Sequence, residues 1–148
     1  MDFSFVDAPL DRAEHLRTDS EALARLWPDA RVLVLDTRGD AAVDADGAPP
    51  RLIGTAVGPR PETAVFLGLH GDQGWFALPA VDAPASLPAH GVTDLRSAAA
   101  QWPARETTAF AQARAVLHWR SRHRFCGACA APLAWARAGW LGRCTGCG

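Results

Sequence analysis

Four cysteines near the C-terminal end constrain the fold of this chain more than any other feature. They form two C-x-x-C pairs, Cys126 with Cys129 and Cys144 with Cys147, and fourteen residues separate the pairs. The chain has no other cysteine. Two such pairs at this spacing are typical of a zinc site in which four thiolates surround the ion as a tetrahedron. We therefore predict that Cys126, Cys129, Cys144 and Cys147 bind one structural Zn²⁺.

The segment between the two pairs is long enough for a short hairpin with its turn near Ala138 and Gly139. This predicts a small zinc ribbon over residues 125–148, in which Trp135, Trp140 and Leu141 cover the metal. A zinc ion held by four protein ligands has no open position for a substrate. The site is therefore expected to stabilise a fold and to take no direct part in catalysis.

Two other interpretations of the cysteines are disfavoured. Two disulfides would suit a secreted protein, but Met1–Ser4 shows neither the basic start nor the apolar run of a signal peptide. A thioredoxin-like redox centre would need one pair at the start of a helix that follows a strand. We therefore expect reduced, metal-binding thiols and a cytoplasmic location.

The charge of the chain is divided between its two parts. Residues 1–100 carry eight Arg and fifteen acidic residues, or −7, whereas residues 101–148 carry seven Arg and one acidic residue, or +6. A basic segment can bind phosphate or nucleic acid, or it can contact the acidic part of its own chain. The length suits one domain plus a small module, and no apolar run is long enough to predict a membrane span.

The basic residues of the second part cluster before the first cysteine pair. They are Arg114, Arg120, Arg122, His123 and Arg124. Arg120 and Arg124 have the i, i+4 spacing of residues on one helix face. We expect a helix end that is exposed to solvent or that contacts a neighbouring domain.

The pattern of apolar and turn residues predicts an α+β domain before the ribbon. Strands are expected at 31–35, 52–57, 64–69 and 75–78, and loops at 41–50 and 79–90. A short helix or an irregular lead-in is expected at 10–17. Helices are expected from Thr18 or Asp19 to Pro28, from Thr93 to before Pro103, and from Pro103 or Ala104 towards the cysteines. The last helix has an apolar stripe that comprises Phe110, Ala113, Val116 and Leu117.

A self-contained active site is not predicted. No two acidic residues are adjacent, no serine lies in a G-x-S-x-G turn, and the histidines are scattered at 15, 70, 90, 118 and 123. The sequence therefore offers no candidate catalytic residue.

The run from Arg120 to Pro132, RSRHRFCGACAAP, resembles the junction in NADH pyrophosphatases (NAD⁺ diphosphatases) of the Nudix superfamily. In that family a long helix ends in a basic stretch, an aromatic residue and C-G-x-C. The helix at 109–119, the strand at 66–69 and the second cysteine pair are also similar to that family. The resemblance implies an N-terminal Nudix-like domain over 1–124, followed by the zinc ribbon at 125–148.

The resemblance implies a longer parent enzyme with a catalytic Nudix domain after the ribbon. That parent would be a cytoplasmic homodimer that hydrolyses the pyrophosphate of NAD(H) to NMN(H) and AMP, with NAD-capped RNA as a further substrate. Its Nudix box, G-x5-E-x7-R-E-U-x-E-E-x-G-U, binds Mg²⁺ or Mn²⁺, and this box is absent from the 148 residues. The Arg105-Glu106 step has no Glu-Glu pair after it, so only the four cysteines correspond to functional residues of the family.

Two functions remain open on this basis. The favoured one is that the chain is the non-catalytic part of an NADH pyrophosphatase, shortened from its parent, inactive alone, and responsible for dimerisation and for positioning the Nudix domain. The alternative is a stand-alone zinc-ribbon module that binds nucleotides or nucleic acid.

Overall fold

The computed structural model describes residues 5–7, 9–87 and 89–148, so the prediction made from Met1–Ser4 lies outside the described residues. The strands are β1 (Arg31–Leu35), β2 (Ala41–Val43), β3 (Val65–His70), β4 (Gln73–Pro79), β5 (Gly91–Thr93), β6 (Leu133–Ala136) and β7 (Leu141–Cys144). The α-helices are α1 (Ser20–Leu26), α2 (Gly54–Val57), α3 (Leu95–Gln101) and α4 (Ala104–Arg122). Short 3₁₀ helices cover Glu14–Thr18, Trp27–Asp29, Ala80–Asp82 and Arg137–Gly139.

The main sheet is mixed and has the strand order β3-β4-β1-β2-β5. Strands β1 and β4 run parallel, and the other neighbours are antiparallel. Strands β6 and β7 form a separate antiparallel hairpin. This arrangement of a sheet with helices confirms the predicted α+β class.

Both faces of the main sheet are buried, and alternation along β1 explains why. Val32 and Val34 belong to one apolar cluster, whereas Leu33 and Leu35 belong to the other. Helix α4 covers the second cluster with buried Phe110, and the α1 region covers the first with buried Trp27. Because successive side chains of a strand point to opposite faces, a continuous apolar run such as 32–35 is required here.

Several predicted elements are confirmed. Strand β1 has the predicted bounds, the hairpin of β3 and β4 turns at Gly71 and Asp72, and α4 starts directly after Pro103. Asp19 caps α1 by accepting a hydrogen bond from the backbone N–H of Ala22 at 2.9 Å. Such caps satisfy an N–H that the first helical turn leaves without a partner.

The predicted strand at 52–57 is wrong, since residues 54–57 form helix α2. The first helical residue, Gly54, packs directly on the backbone of Trp27, and a Cβ there would lie 1.8 Å from the Trp27 carbonyl oxygen. Thr55 Oγ1 donates a hydrogen bond of 2.6 Å to the Pro28 carbonyl. These contacts with a distant segment override the β-propensity of the apolar residues.

Two strands of the main sheet were not predicted from the sequence. Residues 41–43 form β2 inside the predicted loop at 41–50, and residues 91–93 form β5 just after the predicted loop at 79–90. They pair with each other, and each is three residues long. No helix in the described part of the chain is both long enough and apolar enough to cross a membrane.

Candidate metal centre and neighbouring cleft

The four cysteines come together where two turns face each other. The first turn is closed by the N–H of Ala130, which donates to the Cys126 carbonyl at 2.9 Å, and Ala130 has a positive φ of 60°. The second turn is tied to the first because Thr145 donates to the Pro132 carbonyl from both its N–H (3.1 Å) and its Oγ1 (2.9 Å). Backbone bonds therefore place one pair opposite the other.

The sulfur positions fit a tetrahedral ion. All four Sγ atoms lie within 4.8 Å of one another, with 3.8 Å between Cys126 and Cys147 and 3.4 Å between Cys129 and Cys144. A zinc ion with Zn–S bonds of about 2.3 Å requires edges of about 3.8 Å between its sulfurs. The cluster can therefore hold a metal ion such as zinc, and its contacts are those of a zinc ribbon.

Cys126 and Cys144 have lowered pKa values, whereas the pKa of Cys147 is raised. Hydrogen bonds from the backbone N–H groups of Cys147 and Gly146 lower the pKa of Cys144 to about 6. Backbone N–H groups of Ala128 and Cys129 likewise lower the pKa of Cys126. Contact with the sulfurs of Cys144, Cys129 and Cys126 raises the pKa of Cys147 to about 12. Four crowded thiolates repel each other, and a divalent cation at their centre would relieve that repulsion.

Gly146 is required by the second turn. A Cβ at this position would lie 2.9 Å from the Cβ of Ala131 and 3.3 Å from Cys129 Sγ. Its N–H also donates to Cys144 Sγ at 3.2 Å. The glycine therefore lets the backbone approach the sulfurs closely.

The tryptophans of the hairpin contact the N-terminal domain, which corrects the expectation that they cover the metal. Trp140 Nε1 donates to the carbonyl of Phe66 in β3 at 2.7 Å. The ring of Trp135 lies edge-on to Trp119 of α4, with 5.1 Å between ring centroids. Leu141 is 38% exposed, and the cysteines are half-buried or exposed. The indoles thus join the hairpin to the sheet and to α4.

The basic cluster divides into residues with different environments. Helix α4 ends at Arg122, so Arg124 does not share a helix face with Arg120 as expected. Arg120 is only 8% exposed, donates to the Thr63 carbonyl at 2.8 Å, and lies over the Trp135 ring at 4.9 Å. Burial lowers the pKa of Arg120. This side chain therefore joins α4 to Thr63 and to the β6–β7 hairpin.

A cleft of about 440 Å³ opens beside Trp135, and the sequence did not indicate it. Its walls are the ends of β1 and β4, the turn at 36–39, the C-terminal half of α4 and Arg124. These segments are far apart in the sequence, so no local pattern predicts the cleft. We refer to it below as the β1–β4 cleft.

This fold and cysteine cluster define a class of protein, and sequence comparison identifies the class. Residues 15–119 match the family described as the NADH pyrophosphatase-like rudimentary NUDIX domain. The chain belongs to this family. The match covers the main sheet and most of α4, and it ends just before the zinc-ribbon cysteines.

Particular relatives are similar over most of the chain. The chain is 37% identical over 154 aligned residues to the NAD-capped RNA hydrolase NudC of Mycobacterium tuberculosis (strain ATCC 25618 / H37Rv). It has the same identity to the protein of that name from Mycobacterium bovis (strain ATCC BAA-935 / AF2122/97). Each alignment covers 95% of this chain and 48% of the relative. The chain therefore spans about half the length of these curated relatives.

Proposed function

We propose that these 148 residues are the non-catalytic N-terminal and zinc-ribbon region of an NADH pyrophosphatase. The observation that carries the proposal is the family match over residues 15–119, together with the four-cysteine cluster that follows it at 126–147. The division would place a Nudix-like domain at 1–124 and the zinc ribbon at 125–148. The similarity of 37% to NAD-capped RNA hydrolases supports NAD(H) and NAD-capped RNA 5′ ends as substrates of the parent.

Zinc is the metal that we propose for the cysteine cluster, with Cys126, Cys129, Cys144 and Cys147 as its ligands. Thiolates favour zinc among the common divalent metals of the cell, and four of them complete its coordination. The ion would have no site for substrate and would act on the fold alone. We propose that Mg²⁺ or Mn²⁺ serves pyrophosphate hydrolysis in a Nudix domain outside these residues, and that the enzyme works in the reducing cytoplasm.

The region would position the catalytic domain and support dimerisation. The contacts that favour this role are those that hold the hairpin against the N-terminal domain. Trp140 bonds to β3, Arg120 links Thr63 to Trp135, and Arg137 pairs with Glu14 at 2.9 Å. A hairpin that is held at several points would fix the orientation of a catalytic domain attached to it.

A chimaera tests the proposal directly. The chain would replace the matching half of the M. tuberculosis relative, and NADH hydrolysis with Mg²⁺ would be compared with that of the catalytic half alone. We expect the chimaera to be dimeric by light scattering and active, and the catalytic half alone to be monomeric and weakly active. The 148-residue chain alone should hydrolyse neither NADH nor NAD-capped RNA.

A matched control uses the same chimaera with Cys126→Ser, which removes one proposed zinc ligand. This variant should lose dimerisation and activity together. Hydrolysis of NADH by the 148-residue chain alone, or equal activity of the catalytic half with and without it, would refute the proposed role.

A further inference from the structure

We propose that the β1–β4 cleft is a binding site for a phosphate monoester that carries a planar ring, such as a nucleoside monophosphate. This site would belong to the N-terminal region itself. It is therefore independent of the function proposed above, and it is testable on the 148-residue chain.

The position of the cleft in the sheet is the first argument. Leu35 and Pro79 are paired residues at the carboxyl ends of the parallel strands β1 and β4, and both line the cleft. The connections that follow the two strands differ. Strand β1 is followed by a turn into the antiparallel strand β2, whereas β4 is followed by a 3₁₀ helix. In open sheets, ligands bind outside the carboxyl ends of parallel strands where the connections diverge.

The charge of the lining is the second argument. The cleft is lined by Arg38, Arg114, Arg120 and Arg124, and Asp36 is the one acidic residue among its lining residues. Asp36 Oδ1 already accepts hydrogen bonds of 2.9 Å from the N–H groups of Arg38 and Asp40. The lining therefore carries an excess of positive charge, which favours an anion.

The available donors are the third argument. Arg114 Nε donates a hydrogen bond to the Gly39 carbonyl at 3.2 Å, and Arg120 donates to the Thr63 carbonyl at 2.8 Å. These two side chains therefore stabilise the walls of the cleft. Arg124 and His118 are exposed at the mouth, and the ion pairs found among the described residues do not include them. An arginine fork matches the geometry of phosphate oxygens, so we assign the phosphate to the side of Arg124.

The remaining wall is apolar, which favours a ligand larger than phosphate. Leu35, Pro79, Val81, Leu117 and Trp135 contribute to it, and Val81 is 86% exposed. The Arg120 guanidinium lies over one face of the Trp135 ring, so a planar ligand ring would contact the other face or the edge of this indole. The volume of about 440 Å³ also lies within the range usual for small-molecule sites.

The test titrates the zinc-loaded chain with AMP, adenosine and inorganic phosphate, followed by amide NMR at low salt. With AMP we expect saturable shifts confined to residues 36–39, 114–124 and the Trp135 indole N–H, weakened as NaCl is added. Adenosine and phosphate should each bind at least about tenfold more weakly than AMP, since each lacks half of the contacts.

Matched charge reversals complete the test. Arg124→Glu should weaken AMP binding by at least about tenfold, because it removes a charge-assisted contact and adds a repulsive one. Arg122→Glu has the same charge change two residues away but does not line the cleft, so it should change the affinity less than about threefold. Both side chains are exposed, so folding should be kept, and thermal unfolding would verify this.

Three results would overturn the proposal. The first is the absence of saturable AMP binding at low salt. The second is equal weakening by Arg122→Glu and Arg124→Glu, which would indicate general attraction to a basic surface. The third is equal affinity for AMP and for either adenosine or phosphate. Such a result would show that the phosphate or the nucleoside part of AMP contributes nothing to binding.

Discussion

Gly139 lies where the hairpin packs against strand β3. It has a φ of 95°, and a Cβ there would lie 2.8 Å from Val65 Cγ2 and 3.1 Å from Arg120 Nη1. Gly139→Ala should therefore lower the free energy of unfolding by about 1–3 kcal/mol, since it adds backbone strain to overpacking. Urea denaturation would measure the change.

The control for this substitution is Gly127→Ala, also in the ribbon. A Cβ at Gly127 would meet nothing within 4 Å, and its φ is not among the positive values. We expect the free energy of unfolding of this variant to lie within about 0.5 kcal/mol of the wild-type value. Similar losses for the two variants would contradict the assigned packing.

Arg120 stabilises the junction through its side chain. Its Nη1 donates a hydrogen bond to the Thr63 carbonyl, and its guanidinium lies over the Trp135 ring. Arg120→Met keeps much of the apolar stem but leaves the carbonyl without its donor, so we expect a loss of about 1–3 kcal/mol in denaturant titrations. Arg122→Met, at an exposed position of the same helix, should change stability by less than about 0.5 kcal/mol.

At the level of residues, the sequence is most informative where the chemistry is local. The cysteine pairs are short motifs, and the structure brings all four sulfurs together. The cleft beside Trp135 is different, because its residues come from segments at 35–39, 79–81, 114–124 and 135. Nothing in any one segment indicates that the others are near.

At the scale of elements, helix α3 makes a prediction about pH. Backbone and side-chain hydrogen bonds from Ser97 hold the pKa of Asp94 below its usual value. Because the folded-state pKa is the lower one, the ionised cap stabilises the fold above the unfolded-state pKa of about 3.9, and this contribution is lost as the pH falls through the folded-state value.

The variant Asp94→Asn keeps an oxygen that can accept from Ser97 but removes the charge. Its stability deficit relative to the wild type should be present at neutral pH and should shrink as the pH falls below about 4. Thermal unfolding across this pH range would measure it, with Asp72→Asn in the exposed β3–β4 turn as a control. A deficit that stays constant with pH would show that the charge has no part in the cap.

The elements predicted correctly are those whose signals are long or local. Strand β1 contains a run of four apolar residues, and α4 is a 19-residue helix that begins after a proline. Strands β2 and β5 have three residues each and owe their existence to mutual pairing. Residues 54–57 became helical through contacts with Trp27 and Pro28, which no local propensity can show.

At the scale of the whole molecule, metal removal should divide the chain into an ordered and a disordered part. We expect one zinc per chain by metal analysis, and we expect a chelator or Cys126→Ser to abolish the NMR dispersion of residues 125–148. For such modules the free energy of metal binding is that of folding. Amides of β1, β4 and α4 should keep their dispersion, because their core is separate from the cysteines. A ribbon that stays ordered after both treatments would contradict the metal assignment.

The order of the main sheet leaves β3 at one edge. Asp11 pairs with Leu69 on this strand, and the hairpin covers its Val65–Phe66 end. Trp140 donates a hydrogen bond to the carbonyl of Phe66, and Gly139 packs against Val65. An uncovered apolar edge strand is a template on which another chain can pair. Loss of zinc would therefore unfold the ribbon and also expose part of an apolar edge strand. Metal-depleted protein should form β-rich aggregates, and added zinc should prevent them.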